Sequence, residues 1–135
     1  MKAPLTLSLV LTLTVVLAHA TLEHSSPAAG SVLKTPPKSV VLELAEPVEV
    51  RLSTFKVYPL TSAAEAPALV QKVLSLKGDE AARADAGLAT KGETASRLEI
   101  NLKGGLKPGP YLVMWRVLSV DSHVSQDSFV FTYQP

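Results

Sequence analysis

The sequence has no cysteine, one tryptophan, three phenylalanines, three tyrosines and three histidines among its 135 residues. Without cysteine there are no disulfides and no thiolate metal centre, so a folded domain must hold together by its core alone. Charge of either sign is scarce as well: 13 lysines and arginines stand against 12 acidic residues. No basic block occurs, and no aromatic residues interleave with basic ones, which excludes a nucleic-acid surface of the usual kind. Long apolar runs are also missing, with one exception at the N-terminus.

That exception is Leu5 to Leu17, interrupted only by Thr and Ser, preceded by Lys2 and followed by small residues. The layout is that of a secretory signal peptide. The run falls short of the roughly 20 residues that span a bilayer, so export and cleavage are expected, with no membrane span afterwards. Small residues precede two cutting points. A cut after Ala18 starts the chain at His19, and a cut after Ala20 starts it at Thr21; local rules leave both open. Removal of residues 1–18 takes Lys2 with it and leaves twelve basic against twelve acidic side chains on one domain, 19–135. A chain of that size buries roughly two-thirds of its unfolded surface and needs no staple.

Beyond the leader the apolar period is two. Val40, Leu42 and Leu44 alternate with Val41 and Glu43; Leu98, Ile100 and Leu102 alternate with Arg97, Glu99 and Asn101; Phe129, Phe131 and Tyr133 alternate with Ser128, Val130 and Thr132. Each reads as a strand with one inward face. Tyr111 to Val120, apolar on both sides and rich in β-formers, reads as a central strand. The turn signals SSPAAGS, KTPPKS, LKGD and KGGLKPGP separate these runs. The polar, alanine-rich stretch from Lys77 to Ser96 reads as a solvated loop in preference to a short helical turn over DEAARADAG, since no apolar stripe would hold a helix down. About seven short strands in this spacing predict an all-β chain, an antiparallel β-sandwich or Greek-key barrel.

The chemistry rests on the histidines His19, His24 and His123. His24 beside SSP has the look of an ordinary surface residue. His123 lies two residues after Asp121 in SVDSHVS. If extended backbone continues through that stretch, the two side chains share one side and make half a metal site. An incidental pair in a solvated loop is the plainer alternative on spacing alone. His19, as a mature N-terminus, would offer its α-amine and its imidazole together in one chelate ring. The amine titrates near pH 7.7–8.0, so Cu(II) displaces its proton readily at neutral pH. Three nitrogens and one carboxylate oxygen form a set that Cu(II) prefers in a tetragonal arrangement, while Zn(II) binds the same atoms less tightly.

These residues resemble the CopC family of copper-resistance proteins over nearly the whole mature chain. The family pattern H-x-x-L-x-x-S-x-P-x-x-G is met by His19, Leu22, Ser25, Pro27 and Gly30. The pattern L-x-P-G-x-Y-x-V-x-W-R-V-x-S-x-D-x-H is met by Leu106, Pro108, Gly109, Tyr111, Val113, Trp115, Arg116, Val117, Ser119, Asp121 and His123. The resemblance implies an immunoglobulin-like, cupredoxin-like Greek-key β-sandwich or barrel. It favours the cut after Ala18, and implies one Cu(II) per chain held by His19, Asp121 and His123. It also implies a periplasmic or extracellular carrier, working beside a membrane-embedded copper transporter of the CopD type. Glu46 aligns with a carboxylate used by some members only after a one-residue insertion, and reads as an exposed acid.

The departures from the family are specific. Where some members carry a methionine-rich Cu(I) loop, this chain has one methionine after the leader, Met114, inside the central strand pattern. Asp127 stands where a glycine is common, and Ser122 separates Asp121 from His123. Trp115 reads as core, and Arg116 as a surface side chain free to meet a carboxylate. An oxidative copper enzyme with an N-terminal histidine is the competing function. An adhesive sandwich is another, and it would follow if the cut fell after Ala20. No nucleophile motif marks a hydrolase, and the expectation is a protein that is not an enzyme.

Overall fold

Each period-two run becomes a strand. The computed structural model describes residues 20–135; the expected leader, 1–18, and His19 lie outside them. The elements in order are β1 (Leu22–Ser26), β2 (Val32–Leu33), β3 (Ser39–Glu49), β4 (Thr54–Pro59), α1 (Ala66–Val73), β5 (Asp85–Leu88), β6 (Thr94–Leu102), β7 (Gly109–Leu118) and β8 (Val124–Tyr133). They make two four-stranded sheets, β1-β3-β6-β5 and β2-β8-β7-β4. All pairings are antiparallel except the short one between β2 and β8. The architecture is the expected sandwich, with two open sheets in place of a closed barrel. Eight strands stand where about seven were expected, because two-residue β2 and four-residue β5 are too short to show a period.

The inward faces meet as the alternation requires. Val40, Leu42, Leu98 and Ile100 from one sheet and Val57, Val113, Val117 and Phe131 from the other are fully buried in one cluster. Trp115 lies in it, edge-on to Phe129 with ring centroids 6.0 Å apart, and Tyr111 stacks on Phe131 at 5.4 Å. Losing the Trp115 ring would cost about 3–5 kcal/mol. The two-sided apolar character of β7 has a specific cause. Its outward residues Leu112 and Met114 form a second cluster with Tyr58, Leu60, Val73 and Leu74, so α1 covers that half of the outer face.

The stretch from Lys77 to Ser96 corrects its reading as a solvated loop. It contains the short helical turn Glu80–Ala82, β5 and the start of β6, and Asp79, Ala84 and Asp85 are buried. Charge pairing holds it down where apolar residues do not. Lys56 Nζ, itself buried, donates to the carbonyls of Val73 at 2.8 Å and Leu76 at 2.5 Å and to Asp79 Oδ2 at 2.8 Å. It thereby caps the end of α1, adding to the Leu76 N–H that the Val73 carbonyl already accepts at 3.1 Å. Tyr58 O–H donates to the same carboxylate oxygen. Arg83 lies 3.4 Å from Asp79 Oδ1 and 3.2 Å from Asp85 Oδ2, and Asp85 Oδ2 also accepts from the Val57 N–H at 2.9 Å. A pattern search for apolar stripes is blind to such a network.

Candidate metal centre

The last rung between β7 and β8 pairs Leu118 with Val124, so residues 119–123 must reverse the chain. Ser119 N–H donates to the His123 carbonyl at 2.8 Å, and Ser122 N–H donates to the Ser119 carbonyl at 2.9 Å. Ser122 takes a left-handed φ of 72°. The backbone between Asp121 and His123 is therefore a turn, which overturns the expectation that extended backbone aligns them. The turn brings them together all the same: Asp121 Oδ1 lies 3.1 Å from His123 Nδ1.

Ser119 organises this pair. Its hydroxyl donates to Asp121 Oδ1 and accepts the His123 N–H at 3.2 Å. The Ser119 O–H holds the Asp121 carboxyl below the usual carboxylate range; desolvation works against it, and the His123 contact adds to the lowering. Asp121 is thus an ionised, exposed carboxylate beside a half-buried imidazole. Sequence reasoning missed Ser119 as a site residue. A serine two positions before an aspartate is a hydroxyl turn signal that could have marked it.

β3 joins this turn to the N-terminal segment. Ala45 N–H donates to the Thr21 carbonyl at 2.8 Å, while Val48 bridges to Ser119 and the Pro47 carbonyl accepts from Val120 N–H at 3.3 Å. The ladder to β6 is irregular between Glu43 and Val48, which lets this part of β3 serve both neighbours. Pro47, with no N–H to lose, suits that irregularity. Glu46 lies between the two junctions and is half-buried, not the exposed acid expected. Ala20 is 3 % exposed and belongs to the core. It lines a crevice of about 80 Å³ together with Trp115, Ser125 and Asp127.

Other candidates fall elsewhere. His24 is exposed on β1 and paired in register with Glu43. Arg116 donates to Gln126 Oε1 from Nε at 3.2 Å and Nη2 at 3.1 Å, and to Ser75 Oγ at 2.9 Å, instead of to a carboxylate. Met114 is fully buried. Among the described residues no group of three His, Asp or Glu side chains gathers at one point. Asp121 and His123 stand there as a pair.

Comparison with known proteins agrees with the fold and the motifs. Residues 22–134 match the family model for the CopC domain. Protein YobA of Escherichia coli strain K12 is 32% identical over 115 residues, covering 85% of this chain and 78% of that protein. The fold matches CopC from Methylosinus trichosporium OB3b with a TM-score of 0.65 at 24% identity, over 87% of this chain and 95% of that one. It matches PcoC, a methionine-rich copper resistance protein from Escherichia coli, with a TM-score of 0.64 at 22% identity, over 87% and 100% of the two chains. The chain belongs to the CopC family.

Proposed function

We propose that this protein is exported, loses residues 1–18, and binds one Cu(II) per chain through the α-amine and imidazole of His19 together with Asp121 and His123. It sequesters copper or passes it on, with a membrane-embedded copper transporter of the CopD type as the receiving partner. The observation that carries this reading is the Asp121–His123 pair, 3.1 Å apart on a turn that Ser119 fixes. An ionised carboxylate and an imidazole supply one oxygen and one nitrogen. Two further nitrogens from one terminal residue complete a set suited to Cu(II).

The burial of Ala20 supports the terminal half of the set. Ala20 lines the crevice beside Ser125, a β8 residue two positions after His123 in the chain. Burial of Ala20 also weighs against a cut after it, because that cut would remove a core residue. Cu(I) storage on thioethers has no place in the reading, since Met114 lies inside the core.

Competition titration of the processed protein, followed by metal analysis, tests the proposal. One Cu(II) per chain, held in preference to Zn(II), Ni(II) and Co(II), with a tetragonal nitrogen–oxygen paramagnetic resonance signal, is the expected result. Tighter zinc binding or two coppers per chain would overturn it.

A further inference from the structure

The inward face of β8 turns polar at one end. Ser125 and Asp127 continue the face that carries Phe129 and Phe131 into the core, and they stand opposite buried Val117 and Trp115 on β7. Ser125 Oγ is shut off from solvent with no hydrogen-bond partner among the described residues. A hydroxyl left in that state is costly, and native proteins rarely keep one idle. Asp127 is exposed and makes no ion pair among the described residues; its Oδ1 accepts the Ser128 N–H at 2.8 Å. Both side chains line the crevice of about 80 Å³ whose facing wall is the N-terminal segment from Ala20 to Leu22. That space exceeds the roughly 10–15 Å³ one water-sized group needs. No basic side chain lines it.

We infer that this crevice seats the amino terminus of the chain cut after Ala18, with Ser125 and Asp127 as positioning residues for the α-amine. The lining selects the occupant. An acceptor hydroxyl, a carboxylate and the face of an indole, with no cation among them, suit a compact positive group that donates hydrogen bonds. The facing wall is the segment that leads to that terminus, so no second molecule has to be recruited. The Ser125 hydroxyl accepts an amine N–H, and Asp127 balances the charge in the metal-free protein. A terminus ordered before copper arrives lowers the cost of ordering it on binding. The seat depends on the proposed cut after Ala18 and deepens the copper reading, but it forms without copper.

Acetylation of the α-amine by a limiting succinimidyl ester, followed by mass spectrometry on the metal-free processed protein, tests the seat. The amine is expected to react more slowly than that of a free peptide of residues 19–26. Ser125→Ala with Asp127→Asn should raise the rate about tenfold, the scale of one lost hydrogen bond to a charged group. Ser128→Ala, which removes a hydroxyl from the opposite face of the same strand, should leave the rate unchanged. Lys72 acetylation is the internal reference, and circular dichroism checks that each variant folds. A parent amine as reactive as the peptide's would overturn the inference. So would equal rates in the parent and the double variant, the result a trapped water on Ser125 would give. The double variant should also weaken Cu(II) binding about tenfold, as loss of an orienting partner does. If His123→Ala abolishes copper binding while the acetylation rates stay equal, the copper reading stands and the seat falls. A processed chain found to begin at Thr21 would remove both the occupant and the reading.

Discussion

Ser119 grips His123 from both sides of the backbone: its N–H donates to the His123 carbonyl at 2.8 Å, and its Oγ accepts the His123 N–H at 3.2 Å. The same hydroxyl donates to Asp121. One side chain therefore sets the position of both Asp121 and His123.

Ser119→Ala should accordingly lower Cu(II) affinity by about 10- to 100-fold, the range for partners that orient ligands, with the circular dichroism spectrum unchanged. The Asp121 carboxyl, no longer held low by the hydroxyl, should rise toward its ordinary range. Proton competition then begins at a higher pH, so the variant should release copper earlier in an acid titration. An unaltered affinity and release profile would show that the turn holds without Ser119.

Ser122 makes the second prediction. At φ 72° a serine sits in a conformation that glycine adopts freely and β-branched residues resist. Ser122→Gly should leave stability equal or slightly higher. Ser122→Val should lower it by about 1–2 kcal/mol and weaken copper binding with it. Thermal unfolding of the two variants is the check; a valine variant as stable as the parent would contradict the turn geometry.

Most of the strands were legible because apolar alternation is a local signal. Val40–Leu44, Leu98–Leu102 and Phe129–Tyr133 each repeat it for several residues. β5 was not legible: Asp85 is buried there through contacts with Val57 and Arg83, partners distant in sequence. The same holds for α1, whose outer-face packing depends on Leu112 and Met114. Spacing alone favoured an incidental Asp121–His123 pair, and the family resemblance carried the pairing; the extended backbone that spacing offered for it is in fact a turn. The role of Ser119 was hidden, because hydroxyl geometry at a turn leaves little mark on composition.

The buried network predicts how the fold responds to acid. Burial alone would raise the Asp79 carboxyl, but hydrogen bonds from Lys56 and Tyr58 more than reverse that and hold it below its ordinary value. In the same contact, burial and the neighbouring carboxylate push the Tyr58 hydroxyl up. A carboxyl whose pKa is lower in the folded state than in the unfolded one adds stability above its unfolded value, near pH 3.9. That stability is lost as pH falls through the lower folded value. Chemical denaturation should show the fold weakening below about pH 4. Asp79→Asn should cost about 3–5 kcal/mol at neutral pH by leaving Lys56 buried opposite a neutral group, and should flatten the acid limb. An acid limb identical in the parent and the variant would assign the acid sensitivity to other groups.

The central claim, that the terminal amine is a copper ligand, is tested by adding one residue before His19. The extension turns the amine into an amide and leaves the His19 imidazole, Asp121 and His123 in the chain. The expected result is a loss of Cu(II) affinity on the order of 100-fold or more, beyond the effect of removing a supporting partner. His123→Ala should do comparable damage, His24→Ala should change little, and circular dichroism should show the extended protein folded. A folded, extended protein that binds Cu(II) as tightly as the chain beginning at His19 would contradict the account.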